Sequence, residues 1–170
     1  MPDKAREVIT TAQSVMLEFF GPRDVAPALV GQVSEVRLFA GDGIPLAAWN
    51  SIGGCGDAFA WVRAARRFRT RTFPTATIDA APCGLLKAIA VEVGVASCAS
   101  MEEQPRWEDY AREADESMDT AWRLEEALCV MSRRLKSDDS ERLVGTDTIV
   151  PYGPDGGVLA WTGVLYATYE

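Results

Sequence analysis

The chain has 170 residues, enough for one domain and hardly two. With 48 % apolar and 25 % charged residues it has the make-up of an ordinary globular protein, so disordered, collagen-like and coiled-coil architectures are excluded. It contains no histidine, which removes His-based triads, His general bases and His-ligated metals together. The net charge of −8 argues against a surface devoted to nucleic acid, which needs clustered cations. That charge is unevenly spread. Residues 1–85 carry nine Lys/Arg against eight Asp/Glu, whereas residues 86–170 carry eight against seventeen. Such a dipolar chain suits a protein that meets copies of itself or a charged partner.

The first predicted element is a helix. Val8, Ile9, Ala12, Val15, Met16, Phe19 and Phe20 recur at three- and four-residue spacing, and Gly21-Pro22 stops the run. No signal-peptide pattern precedes it, and no apolar run reaches the length of a membrane span. A loop holding Pro22 and Pro27 leads to a softly alternating strand, Gln32–Phe39. Residues 41–57 then form a glycine-rich loop around Ile44, Leu46 and Trp49, long enough to be functional or ordered by a partner.

Ala58–Phe73 reads as a long strand with Phe59, Trp61, Arg63, Ala65, Arg67, Arg69 and Arg71 on one face. Ala60, Val62, Ala64, Arg66 and Phe68 take the other. Leu85–Ser97 is a second strand with a branched face (Ile89, Val91, Val93, Val95) and a small one (Ala88, Ala90, Glu92, Gly94, Ala96). The branched face fits a core, the small face admits a close neighbour, and Glu92 is placed to pair with an arginine of the adjoining strand. The long helix after Pro105 carries an apolar series from Trp107, Tyr110, Ala111, Ala114, Met118, Ala121 and Trp122 to Leu128, Met131 and Leu135. Its other face is acidic, with Glu113, Glu116 and Asp119 among eight carboxylates, and Arg133, Arg134 and Lys136 close it. Strands Leu143–Tyr152 and Val158–Tyr169 flank a Gly153–Gly157 turn, the last strand being expected at the sheet's centre or covered on both sides. Strands interrupted by single helices predict an α+β fold: one domain over 1–170, a mostly antiparallel sheet with two helices on one face.

Catalytic motifs fail on inspection. Gly53-Gly54-Cys55-Gly56 lacks a following Lys-Ser/Thr, no Gly-x-Ser-x-Gly elbow exists, and a Cys55 nucleophile would have no imidazole partner. No catalytic residue, cofactor or metal is expected. Cys55, Cys83, Cys98 and Cys129 show no C-x-x-C spacing, so four free, mostly buried thiols of an intracellular chain are expected. The arginine row is the most unusual feature, since no acid occurs between Asp57 and Asp79. Arg63, Arg67, Arg69 and Arg71 are therefore candidate interface residues toward Glu113, Glu116 and Asp119 of a neighbouring copy, with Ile44, Leu46 and Trp49 as a candidate docking loop. Because the complementary charge lies in the same sequence, self-assembly is favoured over DNA binding.

Nearly the whole chain resembles the small neck (head–tail joining) proteins of long-tailed bacteriophages of actinobacteria. The carrying stretches are Cys55-Gly56, Trp61-Val62-Arg63, Arg66-Arg67-Phe68-Arg69-Thr70-Arg71 and Ile78-Asp79. The Trp107 to Trp122-Arg123 helix and Pro151-Tyr152-Gly153-Pro154-Asp155-Gly156-Gly157 through Trp161-Thr162-Gly163 complete them. The element order is most similar to the tail terminator family. That resemblance implies a non-enzyme assembled in the host cytoplasm and residing in the virion, with no membrane contact. Its copies would form a ring, expected to be hexameric, on the tail tube protein. A head-side connector or stopper protein would bind the ring, with DNA passing through the lumen. The alternatives are another connector role, adaptor or stopper, or a small nucleic-acid-associated module using the arginine strand.

Overall fold

The structure, a computed structural model, describes residues 3–43, 57–100, 103–104 and 106–169. Two helices cover one face of a six-stranded, mostly antiparallel sheet. Helix α1 (Ala5–Phe20) starts where Asp3 Oδ1 accepts the Ala5 N–H at 3.2 Å, and it ends where the Gly21 N–H returns to the Leu17 carbonyl at 2.8 Å. Its periodic residues Val8, Ala12, Val15, Met16 and Phe20 are fully buried, as their spacing requires.

Strand β1 (Val36–Phe39) is half as long as the alternation of 32–39 predicts. The Val33 N–H is taken by the Phe20 carbonyl at the end of α1, so the chain joins the sheet only at Val36. It pairs in parallel with β2 (Phe59–Thr70); every other pairing is antiparallel. Strand β3 (Leu86–Cys98) follows a loop with a short 3₁₀ turn at Pro82–Gly84, and helix α2 spans Trp107–Asp138. The predicted strand 143–152 is two, β4 (Val144–Thr146) and β5 (Val150–Asp155), and β6 (Val158–Thr168) closes the chain.

The sheet order is β1-β2-β3-β6-β4, and β5 lies along the same edge of β6 as β4. β4 pairs with residues 165–167 and β5 with the first part of β6, so β6 is hydrogen-bonded on both edges. This is the central position that its two partly apolar faces predict.

The two faces of β3 behave as their side chains dictate. Ile89, Val91, Val93 and Val95 enter the main core with α1 and the C-terminal half of α2. On the small face, the Trp61 indole lies over Gly94 so closely that a Cβ there would be 2.3 Å from Cζ2. Phe59, Trp61, Ala96, Val158 and Ala160 form a second buried cluster on that side.

Ile44, Leu46, Trp49 and Cys55 lie outside the described residues. Cys83 and Cys129 are free but exposed, and Cys98 is disulfide-bonded, which corrects the expectation of four free, mostly buried thiols. Disulfide pairing depends on which strand ends meet in space, and the absence of close Cys spacing says nothing about it.

Candidate assembly surface

The arginine row does not stand on one face. β2 carries a bulge between Ala64 and Arg66, where the register against β3 slips by one residue: Arg63 opposes Glu92, but Arg66 opposes Ala90 and Arg67 opposes Ile89. One extra residue inverts every later side chain. Phe59, Trp61 and Arg63 therefore share their face with Arg66 and Phe68, opposite the helices, while Arg67 and Arg69 turn to the helix side. This corrects the single-face row of Arg63, Arg67, Arg69 and Arg71.

Each of those four arginines has a partner within its own chain. Arg63 makes a two-pronged pair with Glu92, Nε to Oε1 and Nη2 to Oε2 both at 2.6 Å, and donates Nη1 to the Gly41 carbonyl at 2.7 Å. The Trp61 indole N–H donates to the same carboxylate at 3.3 Å. The cross-strand pairing expected of Glu92 is thus formed. Arg67 pairs with Asp3 and sits over the Tyr169 ring. Asp3 is held below the usual carboxylate range chiefly by that hydrogen bond. Arg69 donates to the Leu85 carbonyl at 3.0 Å, and Arg71 pairs with Asp79. Arg66 is different. It is exposed, lies over the Phe68 ring at 4.8 Å and forms no ion pair among the described residues.

The candidate acids of α2 are also engaged internally. Glu113 accepts the Ser100 backbone N–H. Glu116 lines a small cavity with Ser117, Thr120, Tyr152 and Trp161, and burial raises its pKa, with Arg112 opposing and Glu113 reinforcing that shift. Asp119 accepts the Leu29 N–H at 2.9 Å and Arg123 Nε at 2.7 Å. Arg123, itself buried, carries that link onward by donating Nη2 to the carbonyls of Ala26 and Pro27 at 3.1 and 3.0 Å. Asp119 and Arg123 stitch the loop after α1 to α2, and Glu113 ties down the end of β3, so the acids do not form an open row.

The helix starts on a polar contact. Asp109, at the third helical position, accepts the Arg106 backbone N–H at 3.3 Å and is itself buried. The rotational setting of α2 is tied to the rest of the chain by Ser117, which accepts from Trp161, and by Arg123, which donates to the carbonyls of Ala26 and Pro27. Its inward line then runs Asp109, Glu113, Glu116, Thr120, Leu124, Ala127, Met131 and Leu135, at successive three- and four-residue steps. In its first half that line is polar, and Ser117 beside it accepts the Trp161 indole N–H at 2.8 Å. Only from Leu124 onward does it enter the main core.

The apolar series of the first half consequently points outward. Trp107 is 85 %, Met118 70 %, Trp122 56 % and Tyr110 47 % exposed. With Ala111 and Ala114 they form a stripe about 22 Å long at 1.5 Å per residue. Trp122 meets Val25, which is also exposed, at a shallow hollow with Phe19 and Arg23. The apolar series of the sequence is therefore two faces joined end to end: an exposed one from Trp107 to Trp122 and a buried one from Leu124 to Leu135. Four large exposed apolar side chains on one face of one helix are of the kind that partner-binding surfaces present. Counting apolar residues at helical spacing finds such a stripe without telling which way it faces.

No group of three His, Cys, Asp or Glu side chains placed to hold a metal occurs among the described residues, and none of the described helices is long and apolar enough to cross a membrane. No protein-family model matches the chain, and no curated protein is detectably similar to it.

Proposed function

We propose that this protein is a structural component of the phage neck, a tail terminator of the virion whose copies form a ring on the tail tube, stop its polymerisation and present a surface to the head-side connector. The observation that carries the reading is the outward stripe of Trp107, Tyr110, Met118 and Trp122, a surface suited to a protein partner. The α+β arrangement, with two helices on one face of a mostly antiparallel sheet, is the fold class that this reading expects. The pairing of Arg63, Arg67 and Arg71 with Glu92, Asp3 and Asp79 weakens the nucleic-acid alternative, because those cations are already neutralised.

The test is deletion of the gene from its parent phage, with the lysate imaged by negative stain. Overlong or aberrant tubes beside DNA-filled heads are the expected outcome. Tails of normal length beside emptied heads would move the protein to the head-side connector, as an adaptor or stopper. Unaltered virions would overturn both.

A further inference from the structure

The bare face of α2 continues past the apolar stripe. At about 100° per residue, Trp122, Glu125, Glu126, Cys129, Arg133 and Lys136 fall within one sector about 100° wide. That sector lies opposite Leu124, Ala127, Met131 and Leu135, which enter the core. All six side chains are exposed, and the four charged ones have no ion pair among the described residues. Arg134 is turned away from them and pairs with Glu18. The charges are ordered about Cys129: the acids stand three and four residues before it, the bases four and seven after it. The helix dipole accounts for bases in the last turns, not for two acids about two turns earlier on the same sector. This order is self-complementary toward a reversed copy of the helix. A parallel two-fold pair would instead set acid on acid and base on base.

We infer that two copies associate through the C-terminal halves of their α2 helices, antiparallel, with the two-fold axis at Cys129. Residues equally spaced on either side of Cys129 then stand opposite each other. Lys136 meets Trp122 of the second copy, and Arg133 and Lys136 meet its Glu125 and Glu126, so each base gains an acid and each acid a base. Helices pack about 8–10 Å apart with their Cα atoms on a radius of about 2.3 Å. The two Cys129 Cα atoms therefore come within about 6 Å, a separation that a disulfide spans. The contact uses the same patch on both copies and closes on two. Trp107, Tyr110 and Met118 lie past the end of the second copy's α2, which stops at Asp138. The pair thus goes beyond the ring reading and leaves that part of the stripe uncovered.

The experiment traps the pair through Cys129 in the purified full chain carrying Cys83→Ser, which removes the other exposed free thiol. Diamide accepts the two protons and two electrons given up when two thiols join, and a non-reducing gel reads the product. The proposal expects most of the chain to be trapped as a dimer, and none once Cys129→Ser is added. Arg133→Glu with Lys136→Glu should slow trapping about tenfold or more, and adding Glu125→Lys with Glu126→Lys should restore it. Circular dichroism verifies that each variant is folded. Trp107→Ser with Met118→Glu lies outside the pair and should be trapped at the parent's rate. Trapping that ignores the charge reversal means chance collision of exposed thiols and overturns the pair, as does a double reversal that fails to recover. Trapping lost in the Trp107/Met118 variant would move the contact onto the stripe and overturn this register. The gene-deletion phenotype decides the neck reading separately.

Discussion

Arg123 is the side chain that most of the α1–α2 connection depends on. It is 6 % exposed and donates to Asp119 and to two carbonyls of the loop after α1. Removing one member of such a buried set leaves the others unsatisfied, so Arg123→Met is expected to cost about 3 kcal/mol in urea unfolding. Arg134 makes two short bonds to Glu18 at 2.7 and 2.6 Å, yet both side chains are nearly half exposed. Solvent screens that pair, and Arg134→Met should cost no more than about 0.5 kcal/mol despite its better geometry. Burial, not bond length, separates the two. Glu116 supplies a pH dependence of the less common sign. Burial raises its pKa in the folded chain, so it binds its proton more tightly folded than unfolded. It favours folding only where it is protonated in both states, and that contribution is lost as pH rises through its folded value. Glu116→Gln should therefore be more stable than the parent at neutral pH, the difference vanishing below the ordinary carboxylate range. Thermal melts at neutral and acidic pH check this, and an equal difference at both would exclude it.

At the scale of elements, the contact between β2 and β3 is set by one missing side chain. Gly94 leaves room for the Trp61 indole, whose N–H reaches Glu92 and thereby joins the Arg63 pair. A methyl group at Gly94 would displace the ring and its hydrogen bond together. Gly94→Ala should cost about 2 kcal/mol by chemical denaturation and alter the near-ultraviolet signal of the buried tryptophan. The close approach on the small face of β3 was legible in the sequence, as were the pairing of Glu92 with an arginine of the adjoining strand and the end of α1. These follow from spacing alone. The bulge was not, because the insertion of one residue between Ala64 and Arg66 leaves no mark on composition and is seen only in the register. Nor was the setting of α2 about its own axis, where Ser117 and Arg123 make polar contacts to distant segments. Hydrophobic patterning assumes that the apolar side of a helix is the buried side. In the first half of α2 polar bonding overrides that assumption, and the exception is the surface that carries the functional reading.

For the molecule as a whole, the excess of acid in residues 86–170 acquires a location. Glu113, Glu116 and Asp119 turn inward, so the carboxylates left at the surface of the first half of α2 are those beside its apolar stripe, while at the far end of the sheet Arg66 stands exposed with no ion pair among the described residues and Arg71 is paired with Asp79. Opposite charge on two separated surfaces acts on encounter at a distance; the apolar side chains act only after contact. The two contributions should separate in salt. Raising NaCl from about 0.1 M to about 1 M shortens the screening length from about 10 Å to about 3 Å. The rate of assembly, followed by stopped-flow light scattering, should then fall about tenfold or more, because steering is lost. The final mass should be retained, since burial of Trp107, Met118 and Trp122 does not weaken with ionic strength. A rate insensitive to salt would remove the acidic rims from the encounter. A final mass that collapsed at high salt would mean that charge, and not the stripe, holds the copies together.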